Sequence, residues 1–257
     1  MKSPYTSQLL MPGVWQITDK PEGAAFGVDM YLLEGTTRAF LIDAGESKAD
    51  LAGYIATLTD KPVDLVITHG HGDHTAGMGQ FERVYMSHKD VPILNSMFRT
   101  KVKASEIIDL KGGEVFDIGT YKIEVVALPG HTPGSVVLLD RERQLLFTSD
   151  ALGTGVLWMQ LPCCTSIEAY AEELRKLEKH VEGMDGLRLY PGHDCQKNLN
   201  FGMQYIRDVR TLAEKIVSGE VTGTPTEDKS KITGGLSASY GQMIGFIYKA
   251  ENIYNKR

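Results

Sequence analysis

The feature that most constrains this chain is the heptapeptide Thr-His-Gly-His-Gly-Asp-His at residues 68–74. It follows the short and largely apolar run Val-Asp-Leu-Val-Ile, which is typical of a buried strand. Side chains two residues apart at the end of a strand point to the same side, so His69 and His71 can bind one ion together. Asp73 and His74 follow in the turn and can reach a second ion. Because imidazole and carboxylate groups are ligands of zinc and related metals, the motif predicts a metal site.

A simpler interpretation is that these residues only form a glycine-rich turn, since most histidines in proteins are surface or core residues. The distribution of histidine argues against it. The chain has 7 histidines in 257 residues, and three of them fall within this one motif beside an aspartate. We therefore favour the metal site.

Three later residues stand at the ends of other predicted strands. His131 lies in Pro-Gly-His-Thr-Pro-Gly, Asp150 in Thr-Ser-Asp and His193 in Pro-Gly-His. Taken singly, the histidines could be turn residues and the aspartate a helix cap. If the strands lie side by side, however, their ends converge, and these side chains join the histidine motif.

The order of predicted elements indicates an α+β fold. Short strands fill the first quarter of the chain, and a second group of strands begins near residue 112. Helices are predicted from Lys48 to about Leu58, capped by Ser47, and over 75–81, 88–98, 167–180 and 198–218, with a last strand at 244–248. No linker separates two halves, so we expect one domain over residues 1–257. Two sheets face to face with helices outside are the simplest packing of these elements.

With these motifs in this order, the chain resembles the metallo-β-lactamase fold superfamily of metallo-hydrolases. The resemblance extends from the first strands to about His193 and rests on the histidine motif, Pro-Gly-His-Thr-Pro-Gly-Ser, Thr-Ser-Asp and Pro-Gly-His. It implies a four-layer αββα sandwich with the site along one edge of the two sheets.

The resemblance also implies a ligand set for two divalent metal ions. One ion is expected at His69, His71 and His131, and the second at Asp73, His74 and His193, with Asp150 bridging both. Asp73 is expected to act as the catalytic residue that orients a metal-bridged hydroxide. Asp43, at the end of Phe-Leu-Ile-Asp, is expected to support a ligand histidine, with turn formation as the equal alternative.

The implied activity is hydrolysis of a small ester, thioester, lactone or related substrate by a binuclear metallo-hydrolase. Zinc is the expected metal, and iron or manganese are the alternatives because the set contains no thiolate. A mononuclear iron enzyme similar to the sulfur dioxygenases, and a β-lactam or phosphodiester hydrolase of the same fold, remain alternative functions. A non-catalytic metal-bound scaffold is the least favoured.

The subfamily features are mixed. The antibiotic-degrading branch commonly lacks the bridging aspartate, which is present here as Asp150. The segment Pro-Gly-His-Asp-Cys-Gln-Lys-Asn is similar to the last-ligand region of glyoxalase II, and its Lys197 could serve an anionic substrate. The lactonases usually carry a tyrosine where Gly153 and Thr154 stand. For the pocket, Phe26 and Trp158 are candidate lining residues, although large aromatic residues more often belong to a core.

Charge and cysteine content bear on partners and location. The formal net charge of −6 gives no electrostatic basis for binding nucleic acid or an anionic membrane, and no run is apolar enough to span one. Three cysteines, two of them adjacent, make a poor disulfide framework, so we expect a cytoplasmic protein. The expected partner is a small-molecule substrate, and the sequence is compatible with a homo-oligomer.

Overall fold

The computed structural model describes residues 3–97, 103–241 and 243–255, and its first sheet contains seven strands in chain order. β1 to β4 are antiparallel neighbours, and β5 to β7 continue the sheet in parallel pairing. This confirms the predicted run of short strands in the first quarter of the chain. The strands are β1 (Tyr5–Met11), β2 (Val14–Asp19), β3 (Val28–Glu34), β4 (Ala39–Ile42), β5 (Val63–Val66), β6 (Val84–Met86) and β7 (Ile108–Asp109).

The helices of this half are shorter than the sequence predicted. α1 covers only Leu51–Ile55 and is capped by Asp50, whose carboxylate accepts from the Gly53 amide at 2.8 Å. Ser47 does not cap it because its hydroxyl hydrogen bonds to Tyr5. The helix predicted over 75–81 is instead α2 (Gly72–Thr75) followed by a 3-10 turn.

The helix predicted to end at Phe98 is α3 (Val91–Met97), preceded by a 3-10 turn; Phe98 lies outside the described residues.

The second sheet has five strands in the order β13-β11-β10-β9-β8. β10 and β11 form an antiparallel hairpin, with Asp140 opposite Leu145. β13 joins β11 in parallel. The strands are β8 (Val115–Asp117), β9 (Lys122–Ala127), β10 (Val136–Asp140), β11 (Leu145–Ser149) and β13 (Arg188–Pro191).

A small third sheet, in the order β12-β16-β15-β14, lies beside the second half. Only its strand β16 (Ile244–Tyr248) was predicted. The sequence did not predict β12 (Gly155–Met159), β14 (Thr224–Pro225) or β15 (Leu236–Tyr240).

The two long helices belong to the second half. α4 (Ile167–His180) has the predicted bounds and is capped by the Ser166 hydroxyl. α5 (Gly202–Ser218) begins four residues later than predicted, because Leu199 instead pairs with Leu189 at the edge of the second sheet.

Three buried clusters define the layers. One joins the facing sides of the two large sheets and includes Tyr31, Phe40, Leu138 and Phe147. A second packs the outer face of the first sheet against α1 and α3. The third packs the outer face of the second sheet against α4, α5 and the third sheet. The order helix, sheet, sheet, helix confirms the predicted αββα sandwich.

Among the described residues, no helix is both long and apolar enough to cross a membrane. A single domain over residues 1–257 stays a prediction.

Candidate metal centre

The seven predicted ligand residues come from turns that follow strands of both large sheets. The histidine motif follows β5, and α2 begins immediately after His71, so Asp73 and His74 lie in its first turn. His131 lies in the loop after β9, Asp150 directly follows β11, and His193 lies two residues beyond β13. The structure brings all seven side chains together at one edge of the sandwich.

His69, His71 and His131 form the first group, in which one nitrogen from each ring lies within 4.8 Å of the others. His131 Nε2 lies 2.8 Å from His71 Nδ1. All three side chains are buried. These converging nitrogens are the arrangement expected of a three-histidine metal site.

Asp73, His74 and His193 form the second group within the same distance limit. Asp73 Oδ2 lies 3.7 Å from His74 Nε2 and 3.8 Å from His193 Nε2. Asp73 is the more exposed member, with 35% of its side chain accessible, and it also lines the adjoining cavity.

Asp150 lies between the two groups. Its Oδ2 is 3.7 Å from His131 Nε2 in the first group, and 3.7 Å from His74 Nε2 and 3.3 Å from His193 Nε2 in the second. One carboxylate oxygen therefore faces nitrogens of both groups, which is the position required of a bridging ligand.

Several donor atoms of the two groups are buried without a hydrogen-bond partner among the described residues, which a bound metal ion would explain. His69 Nε2, His74 Nε2 and Asp150 Oδ1 are buried and have no hydrogen-bond partner among the residues that the structure describes. Burying such polar atoms unpaired is costly, and a bound cation would satisfy all of them. Their chemistry, imidazole nitrogen and carboxylate oxygen, suits zinc, iron or manganese.

The protonation preferences of the two groups differ. Burial and the neighbouring imidazoles keep the pKa of His69 well below its ordinary value, and burial likewise lowers the pKa of His131. Burial also opposes protonation of His74, but Asp73, Asp150 and Asp43 together raise its pKa to about 10. Without a cation the second group therefore holds a proton that a metal must displace.

The outer nitrogens of His131 and His193 are also positioned by hydrogen bonds. His131 Nδ1 donates to the Trp158 carbonyl at 2.8 Å, and His193 Nδ1 lies 3.2 Å from the Gly27 carbonyl. These contacts favour the tautomer that presents Nε2 to the centre.

Asp43 contacts His74 as the sequence reasoning expected of a supporting residue. Its Oδ2 accepts from His74 Nδ1 at 2.9 Å, while Thr68 and Ser149 donate to the same carboxylate. Asp43 can also be grouped with His69 and His74 as a ligand set. Its oxygens accept from three residues, His74, Thr68 and Ser149, and its supporting role stays a prediction.

Backbone strain marks the same place. Asp43 has a φ of 64° and Ser149 a φ of 44°, in the left-handed region that residues with a Cβ rarely occupy. Asp43 follows β4, Ser149 ends β11, and the Ser149 hydroxyl donates to the Asp43 carboxylate. Such strain persists where surrounding contacts hold it, which is common at functional sites.

Asp90 is a buried residue that the sequence reasoning missed. Its carboxylate accepts from the Gly70 amide at 2.8 Å, the Thr132 hydroxyl at 2.6 Å and the Gly134 amide at 2.7 Å. It thereby joins the turn carrying His69 and His71 to the turn after β9. The local sequence Ser-His-Lys-Asp does not indicate this role of Asp90, because its hydrogen-bond partners are 20 to 44 residues away in sequence.

Cys163 and Cys195 lie near the centre, and neither belongs to the two ligand groups. Cys163 Sγ lies 3.4 Å from His71 Nε2, the nitrogen that faces away from His131. The Cys164 thiol and His71 lower the pKa of Cys163 to about 4. Cys195 lines the adjoining cavity.

A cavity of about 510 Å³ opens onto the centre. Phe26 and Trp158, both predicted pocket residues, line it together with Val156, Leu157 and Leu161. The rings of Phe26 and His193 are in edge contact, with centroids 5.1 Å apart.

The predicted pocket residue Lys197 does not line this cavity. It lines a neighbouring cavity instead. The remaining histidines make other contacts: His88 Nε2 with the Ile107 carbonyl at 2.9 Å and His180 Nε2 with Glu124 at 2.7 Å.

Comparison with known proteins agrees with this geometry. The family model of the metallo-beta-lactamase superfamily matches residues 23–193. The chain is 26% identical over 226 residues to the acyl-coenzyme A thioesterase MBLAC2 of Homo sapiens, covering 74% of this chain and 81% of that protein. It is 30% identical over 183 residues to a hydroxyacylglutathione hydrolase of Francisella tularensis subsp. tularensis, covering 69% and 68%.

Solved structures share the fold at low sequence identity. A metallo-beta-lactamase from Pontibacter korlensis aligns with a TM-score of 0.64 and 19% identity, covering 82% of this chain and 99% of that one. Rubredoxin oxygen:oxidoreductase from Desulfovibrio gigas aligns with a TM-score of 0.60 and 18% identity, covering 80% and 62%.

Proposed function

Because this chain belongs to the metallo-β-lactamase superfamily and is a hydrolase of that family, we propose that it hydrolyses thioesters with an apolar acyl group. The observation that carries the proposal is the cavity of about 510 Å³ that opens onto the histidine and aspartate cluster. The polar centre and the apolar wall meet at one place, as cleavage of a bond between an apolar acyl chain and a polar leaving group requires.

The wall of the cavity supports an acyl chain in particular. Phe26, Val156 and Trp158 line it and remain 41–49% exposed, so they offer apolar surface to a ligand. Covering such surface is favourable by roughly 25 cal/mol for each Å² removed from water. Among the relatives, MBLAC2 is named an acyl-coenzyme A thioesterase, and an Aspergillus fumigatus relative, 27% identical over 231 residues, is named an atrochrysone carboxyl ACP thioesterase.

We assign two divalent metal ions to the centre, with zinc as the expected metal. The proposed ligands are His69, His71 and His131 for one ion, Asp73, His74 and His193 for the other, and Asp150 for both. Bound there, the ions would polarise the thioester carbonyl and lower the pKa of a water.

The chain's own residues would then hold the substrate and position the attacking water. The apolar wall holds the acyl group and excludes water from it. Asp73, partly exposed at the cavity, orients the attacking water and accepts its proton, while the substrate carbonyl lies toward the first histidine group. No cysteine or serine nucleophile is needed. A cytoplasmic location and a homo-oligomeric state stay predictions.

The test compares wild type with Asp73→Asn on acyl thioesters, oxygen esters, lactones, β-lactams and phosphodiesters, with and without dissolved oxygen. We expect thioester hydrolysis that does not depend on oxygen and falls by roughly 10²–10⁴-fold in the variant. Turnover that requires oxygen, follows iron content and survives the substitution would instead indicate an iron oxygenase. Cleavage of β-lactams or phosphodiesters but not thioesters would overturn the substrate assignment.

A further inference from the structure

A second cavity of about 460 Å³ adjoins the first, and the two share a wall. The shared residues are Thr154, Gly155, Val156, Cys195 and Gln196. The Thr154 hydroxyl and the Lys197 backbone hydrogen bond in both directions, at 2.7 and 2.9 Å, which fixes the loop that forms the wall. A ligand larger than one cavity can therefore occupy both.

The third sheet forms the floor of the second cavity. Across it, Val156 pairs with Gly245, and Gly245 pairs with Ser239. The next row across the sheet contains Leu157, Phe246 and Ala238, whose side chains belong to the hydrophobic core. Because neighbouring rows face opposite sides of a sheet, the row of Val156, Gly245 and Ser239 faces outward. Because Gly245 has no side chain, the row has a gap between Val156 and Ser239.

The polar groups around this gap are hydrogen-bond donors. Ser237 and Ser239 lie two residues apart on β15 and therefore share its outer face. Within the described part of the chain, their hydroxyls make no hydrogen bond and the Lys197 ammonium makes no ion pair. None of the described lining residues is acidic, although the chain has 33 acidic residues and a net charge of −6.

We propose that the second cavity binds the phosphate-bearing part of a thiol leaving group, through the Lys197 ammonium and the Ser237 and Ser239 hydroxyls. The inference rests on the proposed thioesterase function, which needs a polar leaving group beside the apolar acyl site. An ammonium and two hydroxyls are donors that suit phosphate oxygens, and a cavity without carboxylates does not repel them. The sulfur then lies near the shared wall, beside Gln196 and the metal centre.

The experiment uses two thioesters with the same octanoyl group, one on coenzyme A and one on phosphate-free N-acetylcysteamine. The readout is the KM for the coenzyme A thioester divided by the KM for the N-acetylcysteamine thioester, both measured with the metal-loaded enzyme. Lys197→Ala should raise KM for the coenzyme A thioester relative to the other by roughly 3–10-fold, and Lys197→Arg should restore the wild-type ratio.

Gly245→Val tests the cavity itself. A Cβ at Gly245 meets its nearest atoms at 3.5 Å, so the strand accepts a side chain that then occupies the gap. This variant should also raise the ratio. Lys176→Ala, which removes an exposed lysine of α4, is the charge-matched control and should keep the wild-type ratio.

The outcomes separate the two proposals. Hydrolysis of both thioesters with an unchanged ratio in Lys197→Ala and Gly245→Val overturns the subsite and leaves the thioesterase standing. If neither thioester is cleaved, the thioesterase proposal fails. Binding of free coenzyme A is then measured by calorimetry: weaker binding by Lys197→Ala than by wild type supports an anion subsite, and equal or absent binding refutes it.

Discussion

Removal of the Asp90 carboxylate should destabilise the fold and loosen the first histidine group. Asp90 is fully buried, and its oxygens accept from two backbone amides, those of Gly70 and Gly134, and from the Thr132 hydroxyl. In Asp90→Ala the hydroxyl keeps its contact with Ser135 at 2.7 Å, but both amides lose their acceptor.

The expected magnitude follows from those two amides. A buried donor left unsatisfied costs about 1–3 kcal/mol, so Asp90→Ala should lower the free energy of unfolding by about 2–6 kcal/mol. In a chain of this size 1 kcal/mol shifts Tm by about 2–4 °C, so a loss near 4 kcal/mol corresponds to roughly 8–16 °C. Asp90→Asn keeps one acceptor oxygen, so its free energy of unfolding should lie between those of the wild type and Asp90→Ala.

The assay is thermal unfolding of the metal-loaded and chelator-treated protein, together with metal affinity by competition. Asp90→Ala should weaken metal binding, because the turns carrying His71 and His131 are no longer held together. Glu142→Ala, an exposed carboxylate, is the control and should shift stability by less than about 0.5 kcal/mol. An Asp90→Ala protein with wild-type Tm and metal affinity would refute the reasoning.

Three further perturbations address the centre. Asp43→Asn should weaken metal binding by roughly 10–100-fold because a neutral amide replaces the carboxylate that accepts from His74, as measured by metal titration; unchanged affinity would contradict that support role. Replacing Cys163, Cys164 and Cys195 together by Ser should leave most activity at saturating metal, and total loss with fold and metals intact would reveal a missed nucleophile. Adding zinc to the chelated protein near pH 8 should release protons into weak buffer, since the pKa of about 10 keeps His74 protonated there until the metal displaces its proton; no release would count against that assignment.

The parts of the site predicted from sequence are those with local signals. The histidine motif, Pro-Gly-His-Thr and Thr-Ser-Asp each combine a strand end with a turn, and resemblance to a known family supplied their grouping. The bounds of α4 were predicted because a serine cap and an apolar face coincide there. The structure places the residues together, while their ligand roles stay predictions.

The parts that were missed depend on distant contacts. Asp90 is one acidic residue in an unremarkable segment, and its role exists only because two ligand turns meet it. β12 was not predicted, and it forms by parallel pairing with β16, about 90 residues later. Lys197 was placed near the substrate, but the sequence could not show that a separate cavity lies beside it.

The contact between the first loop and the last ligand turn bears on how the chain folds. Val28 pairs with His193, and the Asp29 amide donates to the Gly192 carbonyl at 2.8 Å. Tyr31 hydrogen bonds to the Pro191 carbonyl across 160 residues of sequence. Closing so long a loop is entropically costly, and non-local pairing of this kind slows folding. His193 can therefore join the other ligand residues only when the two halves are docked against each other.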